Sequence, residues 1–451
     1  MKPCGARARP RAKITEQNFE RQIMSRKIIR ARLLSFLREP RGPEDTESFR
    51  YIPDGALVVE DGLIRAIGSF DTLQTTDAQI VDHRPYLMMP GFIDTHLHFP
   101  QMQVIASWAA ELLDWLNDYT FPEETRYSDP ELCAVMARNF IDRLTEHGTT
   151  TAVAYASVHS TSVDALFDEA LRRNMRLITG KVMMDRSAPE ALLDTAQSSY
   201  DDSKALIARW HGRGRLGYAI TPRFAITSTP AQMEAAQTLV QEHPECHVQT
   251  HLSENHAEIA LSCQLYPKAC DYTDIYARYG LLGPKTLLGH AIHLSEREIS
   301  ALAETASKPV FCPTSNLYLG SGLFDDARLR FAGLVPGIAT DIGGGTSFSM
   351  LQTLAEGYKV LQLNRQRLHP YRAFHWITRG NAVVLGLEDR IGTLDKGSEA
   401  DLVVLNARAT PAMDLRMDRA RGLMDELFTL LVMGDDRAVV QTYLAGEPCK
   451  P

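Results

Sequence analysis

Four histidines and an aspartate, gathered at the ends of short apolar runs, are the residues of this sequence that could do chemistry. Asp94-Thr95-His96-Leu97-His98 ends one run, and on an extended chain alternate side chains share a face, so His96 and His98 can grip one ion. His251 ends a second run, with Glu254 three positions on, His290 ends a third in Leu288-Gly289-His290, and Asp341 a fourth in Ala339-Thr340-Asp341. A solitary histidine at such a place is commonly structural, and a lone His-x-His occurs by chance. Gathered on one rim, the set supplies the nitrogen and oxygen donors that suit zinc or iron(II), with a position left for water. His293 has no motif behind it and reads as structural.

The elements that must position these residues are legible from hydrophobic pattern. Apolar, β-branched runs over Met88–His96, Thr149–Tyr155, Arg176–Met184, Leu216–Phe224, His247–His251, Leu287–Ile292, Pro309–Pro313 and Gly337–Ile342 alternate with helical segments. Thr229-Pro230 with Gln232, and Ser295 with Glu298, read as capped helix starts, and Pro130–His147 reads as a helix closing on Gly148. Eight such strands predict a parallel sheet covered on both faces and closed as a (β/α)8 barrel, whose active site forms where the strands end. No G-x-G-x-x-G follows any of them, which disfavours an open dinucleotide-binding sheet. Residues 27–87 read as β, with Asp61-Gly62 marking a tight hairpin and 38–48 a polar loop, and Ala400–Leu405 and Ala438–Tyr443 read as strands in the same style. The expected domains are therefore a barrel over 88–385 and a small β-sandwich built from 27–87 and 386–451.

Composition bounds the rest. The chain has 451 residues, 44% hydrophobic and 23% charged, too long for a disulfide- or zinc-stapled module and too apolar for global disorder. A net charge of −8 argues against nucleic acid, and no run is long enough to span a membrane; the longest candidate is Leu427–Met433. Seven scattered cysteines without C-x-x-C suit a reducing compartment, the cytoplasm, and exclude both a disulfide frame and a thiolate zinc site. Residues 1–13 carry five basic residues and no acid, leaving −13 for the remainder. Residues 1–26 are expected to be a disordered basic extension, with Met24 an alternative start; a transit peptide is disfavoured because no amphipathic apolar face accompanies the charge.

The motif Pro90-Gly91-Phe92-Ile93-Asp94-Thr95-His96-Leu97-His98, with the later His, His and Asp, resembles the amidohydrolase superfamily of metal-dependent hydrolases. Gly392–Leu402 is similar to that superfamily's return to its small β-domain, and the resemblance extends from about residue 27 to the end. Within it, His98-Phe99-Pro100-Gln101, Trp115-Leu116-Asn117 before Tyr119–Pro122, Gly180–Arg186, Thr221-Pro222-Arg223-Phe224 and Phe311–Asn316 resemble the branch that deaminates guanine. The resemblance implies His96, His98, His251 and Asp341 as ligands of one zinc, with iron as the less favoured metal. It implies His290 as a hydrogen-bonding partner of the attacking water and Glu254 as proton shuttle. Gln101 and Arg223 would read the purine edge, Phe224 would pack on the ring, and Trp115 would be a candidate pocket wall, with His98, His251, Glu254 and Asp341 also against the substrate. A homodimer is implied as well.

The chemistry fits those roles. Two carboxylates with separate tasks are needed, Asp341 to take a proton from water and Glu254 to protonate a ring nitrogen and then the leaving ammonia. Arg223 suits a keto oxygen, because its guanidinium donates in a fixed fork and stays charged. Alternatives are less well served. Cytidine-type zinc deaminases need H-x-E with P-C-x-x-C, and His256-Ala257-Glu258 finds no such partner near Cys312-Pro313. Binuclear relatives use a carboxylated lysine on the fourth strand, whereas Lys181 lies on the third and reads as structural. A mononuclear deaminase of cytosine, an adenosine derivative or a triazine is the nearest enzyme rival; a non-enzymatic scaffold would have lost a ligand or Glu254.

Overall fold

The computed structural model describes residues 26–75, 78–108 and 111–450. Expectations for residues 1–25, Met24 included, lie outside the described residues. Strands β1 (Lys27–Phe36), β2 (Phe49–Glu60), β3 (Leu63–Ser69) and β4 (Gln79–Pro90) open the chain. The β2–β3 hairpin turns on Asp61-Gly62, both at positive φ, as a tight turn between twisted strands demands.

The chain then enters the barrel: β5 (Phe92–His98), β6 (Thr149–Tyr155), β7 (Arg176–Gly180), β8 (Val182–Met183), β9 (Leu216–Pro222), β10 (His247–Leu252), β11 (Thr286–His290), β12 (Lys308–Phe311) and β13 (Gly337–Ile338). The hydrogen-bonded order is β5-β6-β7-β9-β10-β11-β12-β13, all parallel, with β8 a short outlier on β9. The ring closes from β13 back to β5: the Asp341 amide donates to His96 O at 2.9 Å, and His98 N to Ile342 O. Eight parallel strands with intervening helices form the (β/α)8 barrel. Its interior is packed by Ile93, Val153, Ile178, Ala219, Leu287 and Val310, each from a different strand.

After the barrel, β14 (Leu402–Leu405), β15 (Val439–Leu444) and β16 (Glu447–Pro448) return to the first strands. The order β16-β15-β14-β4-β1-β2-β3 makes one seven-stranded sheet from both chain ends, with β4 as the seam between them. A second apolar core, including Ile29, Leu33, Leu57, Met88, Leu402 and Val404, lies along it. Buried charges pin the return segment to the barrel: Arg215 Nη1 lies 2.7 Å from both Glu399 Oε2 and Asp401 Oδ2, and Arg176 also pairs with Glu399.

Two of the strands read from the sequence are divided in the structure, and others are shorter than read, Gly337–Ile342 ending at Ile338. Met88–His96 is not one strand: it is cut at Gly91, so Met88–Pro90 pair with β14 and only Phe92 onward joins the barrel. A Cβ at Gly91 would lie 2.2 Å from Thr150 Oγ1, so glycine permits the close crossing between the two sheets. Arg176–Met184 likewise divides into β7 and β8 around Lys181, which pairs with Asp194. Helix signals fared better. Pro130–Glu146 ends before Gly148 at φ +84°, and Ser295 and Glu298 form a full capping box. Thr229 caps its helix alone, since the side chain of Gln232 meets Ser199 instead. Among the described residues no helix is long and apolar enough to cross a membrane.

Candidate active site

The strand ends bring the sequence-flagged residues to one buried place. His96 and His98 leave β5, His251 sits at the end of β10 with Glu254 just beyond it, His290 ends β11, and Asp341 follows β13. His96 Nε2 and His98 Nε2 lie 3.4 and 3.2 Å from Asp341 Oδ1, and His251 Nε2 lies 3.3 Å from His98 Nε2. Ligating atoms of His96, His251 and His290 fall within 4.8 Å of one another. His290 and Asp341 both take left-handed backbone angles, φ +69° and +54°, which cost an L-residue about 1–2 kcal/mol. Strand-end hydrogen bonds hold them there, Asp341 N to His96 O and Ala291 N to Leu252 O.

This donor set fits a metal. Both ring nitrogens of His96 are buried without a protein hydrogen-bond partner, an arrangement that costs about 1–3 kcal/mol unless something else satisfies them. Burial pushes the His98 and His251 imidazoles down, keeping them neutral, as ligation requires. Burial would raise Asp341, but the adjacent His96 and His98 outweigh it and hold its carboxyl well below the usual range. Three imidazoles and one carboxylate are the ligands of a catalytic zinc or iron(II) site.

The tautomers can be read from the flanking bonds. His251 Nδ1 faces Arg223 O at 2.7 Å, so Nδ1 carries the proton and Nε2 is free to ligate. His290 is the reverse. The amide nitrogen of Asn316 lies 2.9 Å from His290 Nδ1 and can only donate, so Nε2 bears the hydrogen and points at Glu254 Oε2, 3.3 Å away. Burial, and behind it the neighbouring His96 and His98, bring the His290 imidazole down to about 3, so the ring is neutral.

Glu254 is buried, and its other oxygen accepts from Ser321 Oγ at 2.9 Å. Burial, reinforced by the charges of Asp341 and Glu258, raises its carboxyl well above the usual range.

These groups share one pocket, lined by Gln101, Trp115, Arg223, Phe224, Glu254 and Asp341 among others. Gln101 and Arg223, far apart in sequence, meet on the carboxylate of Glu124: Gln101 Nε2 donates to Oε1 at 2.8 Å and Arg223 Nη1 to Oε2 at 2.6 Å. Phe224 and Trp115 share an apolar cluster on the pocket wall. His293 lies aside, its Nε2 donating to Ser321 O at 2.7 Å.

Three residues of this site escaped the sequence reading. Glu124 had no signal beyond lying two residues after Tyr119–Pro122. Asn316 closed a quoted motif without a role. Cys312, read with the other cysteines as no ligand, brings its thiol within 4.8 Å of ligating atoms of His96 and Asp341. Burial pushes that thiol well up and it leans on Val310 O at 3.6 Å, so it packs beneath the donors as a neutral side chain.

A rim of four imidazoles and two carboxylates at the C-terminal ends of barrel strands defines a metal-dependent hydrolase, and the amidohydrolase family pattern matches residues 87–449: the chain belongs to the amidohydrolase family. Within it, the chain is 49% identical over 424 residues to the guanine deaminase of Escherichia coli K12, covering 93% of this chain and 97% of that one. The solved E. coli guanine deaminase superposes with a TM-score of 0.92 at 48% identity, over 94% of this chain and 99% of that chain. A guanine deaminase from C. acetobutylicum, solved with guanine bound in its active site, superposes with a TM-score of 0.84 at 28% identity, over 94% and 99%.

Proposed function

We propose that this chain hydrolyses guanine to xanthine and ammonia with one divalent metal ion per chain, zinc ahead of iron(II). The observation that carries the reading is a buried Glu254 set beside the histidine and aspartate donor set and facing the Gln101–Arg223 pair across one pocket, in a chain 49% identical to a guanine deaminase.

His96, His98, His251 and Asp341 would hold the ion. Bound there, it supplies the Lewis acidity that lowers the pKa of water from about 15.7 toward about 7. Asp341 takes the proton of the attacking water on the oxygen that faces the pocket, and the His290 Nε2–H donates to the oxygen that adds. Glu254 gives its proton to the ring nitrogen beside the amino-bearing carbon, which makes that carbon electrophilic. Glu254 recovers the hydroxyl proton of the adduct as the carbonyl forms and delivers it to the departing amine, which leaves as ammonia, and the proton that Asp341 took then reloads Glu254. Arg223 donates to the keto oxygen, Gln101 reads the neighbouring edge, and Phe224 and Trp115 cover the ring. Burial of these groups keeps bulk water from competing for them.

The reading extends to a homodimeric, cytoplasmic enzyme of guanine breakdown; light scattering on the purified chain tests the dimer. The activity is tested by ammonia release from metal-loaded enzyme offered guanine, adenine, cytosine and their nucleosides. Turnover of guanine with little on the others is expected. Turnover of adenine or cytosine with none on guanine would replace the substrate assignment with that of a sister deaminase.

A further inference from the structure

We propose that Glu124 is a positioning residue for base recognition, fixing the Gln101 amide and the Arg223 guanidinium in the single arrangement that reads the purine edge; this rests on the guanine-deaminating function proposed above. Glu124, Gln101 and Arg223 are each at most 3% exposed, so the carboxylate and its two bonds are shielded from bulk solvent. A carboxylate only accepts. Gln101 must therefore turn its NH₂ toward Glu124 Oε1, 2.8 Å away, and that sends its carbonyl oxygen to the Gly343 amide at 3.2 Å. The flipped amide would set oxygen against the carboxylate and NH₂ against an N–H, losing both bonds and making two repulsive contacts. Gln101 thus offers the pocket one free N–H and one lone pair in a fixed order, the kind of pattern that tells apart purines differing in ring protonation and keto groups.

The same side chain governs Arg223. One of its five N–H groups is committed to Glu124 Oε2 at 2.6 Å, and the guanidinium lies over the Phe121 ring at 5.4 Å. Phe121 and Glu124 belong to one helical turn, Phe121–Thr125, so a single element sets both the tilt and the in-plane rotation of the guanidinium. Glu254 and Asp341 line the same pocket. Without Glu124 they would be the carboxylates available to a buried guanidinium, and either pairing would take it off the substrate.

The test is Glu124→Gln in metal-loaded enzyme, compared with wild type on guanine. We expect KM for guanine to rise about tenfold or more with kcat within about threefold, at one metal per chain. In a Gln101→Ala background the same substitution should raise KM by a markedly smaller factor, because the two residues act as a unit. An unchanged KM, a fall confined to kcat, or an equal factor in both backgrounds would overturn the proposal. Glu124→Asp, which keeps the charge but draws the carboxylate back, is read by the same split should the Gln variant not fold. Wild type inactive on guanine would remove the functional reading itself, an outcome distinct from a Glu124 variant that behaves like an active wild type.

Discussion

The amide nitrogen of Asn316 stands 2.9 Å from His290 Nδ1 and thereby sets which nitrogen of that histidine carries the proton. Replacing it by aspartate turns a donor into an acceptor, moves the proton to Nδ1, and leaves Nε2 a lone pair facing Glu254. Asn316→Asp is expected to lower kcat by about 10–100-fold with metal content unchanged, as for other partners of site histidines. Turnover assays beside elemental analysis check it; normal kcat would show that the tautomer of His290 does not matter.

Gly289 makes room for the imidazole of His96. A Cβ there would lie 2.5 Å from His96 Cε1 and 3.0 Å from both ring nitrogens. Gly289→Ala should push the imidazole off its position, so that purified enzyme carries well under one metal per chain and loses about 100-fold or more in activity. Full metal loading in that variant would mean that His96 does not depend on the space beside β11.

Glu254→Gln separates proton transfer from metal binding. Its oxygens contact Ser321 and His290, and none of the proposed ligands depends on it for a hydrogen bond. Turnover should fall by about 100-fold or more while metal stays near one per chain. Normal turnover would end the shuttle assignment.

Acid should destabilise the fold through histidines remote from the chemistry. His247, with Nε2 3.1 Å from Leu385 O, and His375 are both held down to about 4 by burial. Between about pH 6.5 and that value the unfolded imidazole binds a proton that the folded one refuses, so the stabilisation is complete above about 6.5 and is lost as pH falls toward 4. For His247 alone that is about 3 kcal/mol. Urea midpoints at about pH 7.5 and about pH 5 should differ less in His247→Gln than in wild type; an identical difference would assign the acid sensitivity elsewhere.

The sequence by itself determined the strand count, the barrel, the pairing of the chain ends and which polar residues stand at the strand ends. Those depend on local pattern: β-branched apolar runs, cap residues, and polar side chains at strand ends. It did not reveal Glu124, because nothing local distinguishes a buried carboxylate that joins two distant side chains from a solvated one on a helix. Nor did it show the tautomer control by Asn316 or the nearness of Cys312, since both depend on which strand ends become neighbours when the ring closes.

The clearest division is on β5. Alternation alone places His96 and His98 on one face, and it also places Ile93 on the other. The structure has Ile93 packed inside the barrel, Leu97 in the outer core under the helices, and both histidines facing the inner mouth. A register irregularity between Asp94 and Leu97 reconciles them by shifting the side-chain phase by one residue. Side-chain identity and spacing are written in the chain; the face a strand presents is settled only when it pairs with its neighbours, because a one-residue slip in that pairing inverts every side chain beyond it.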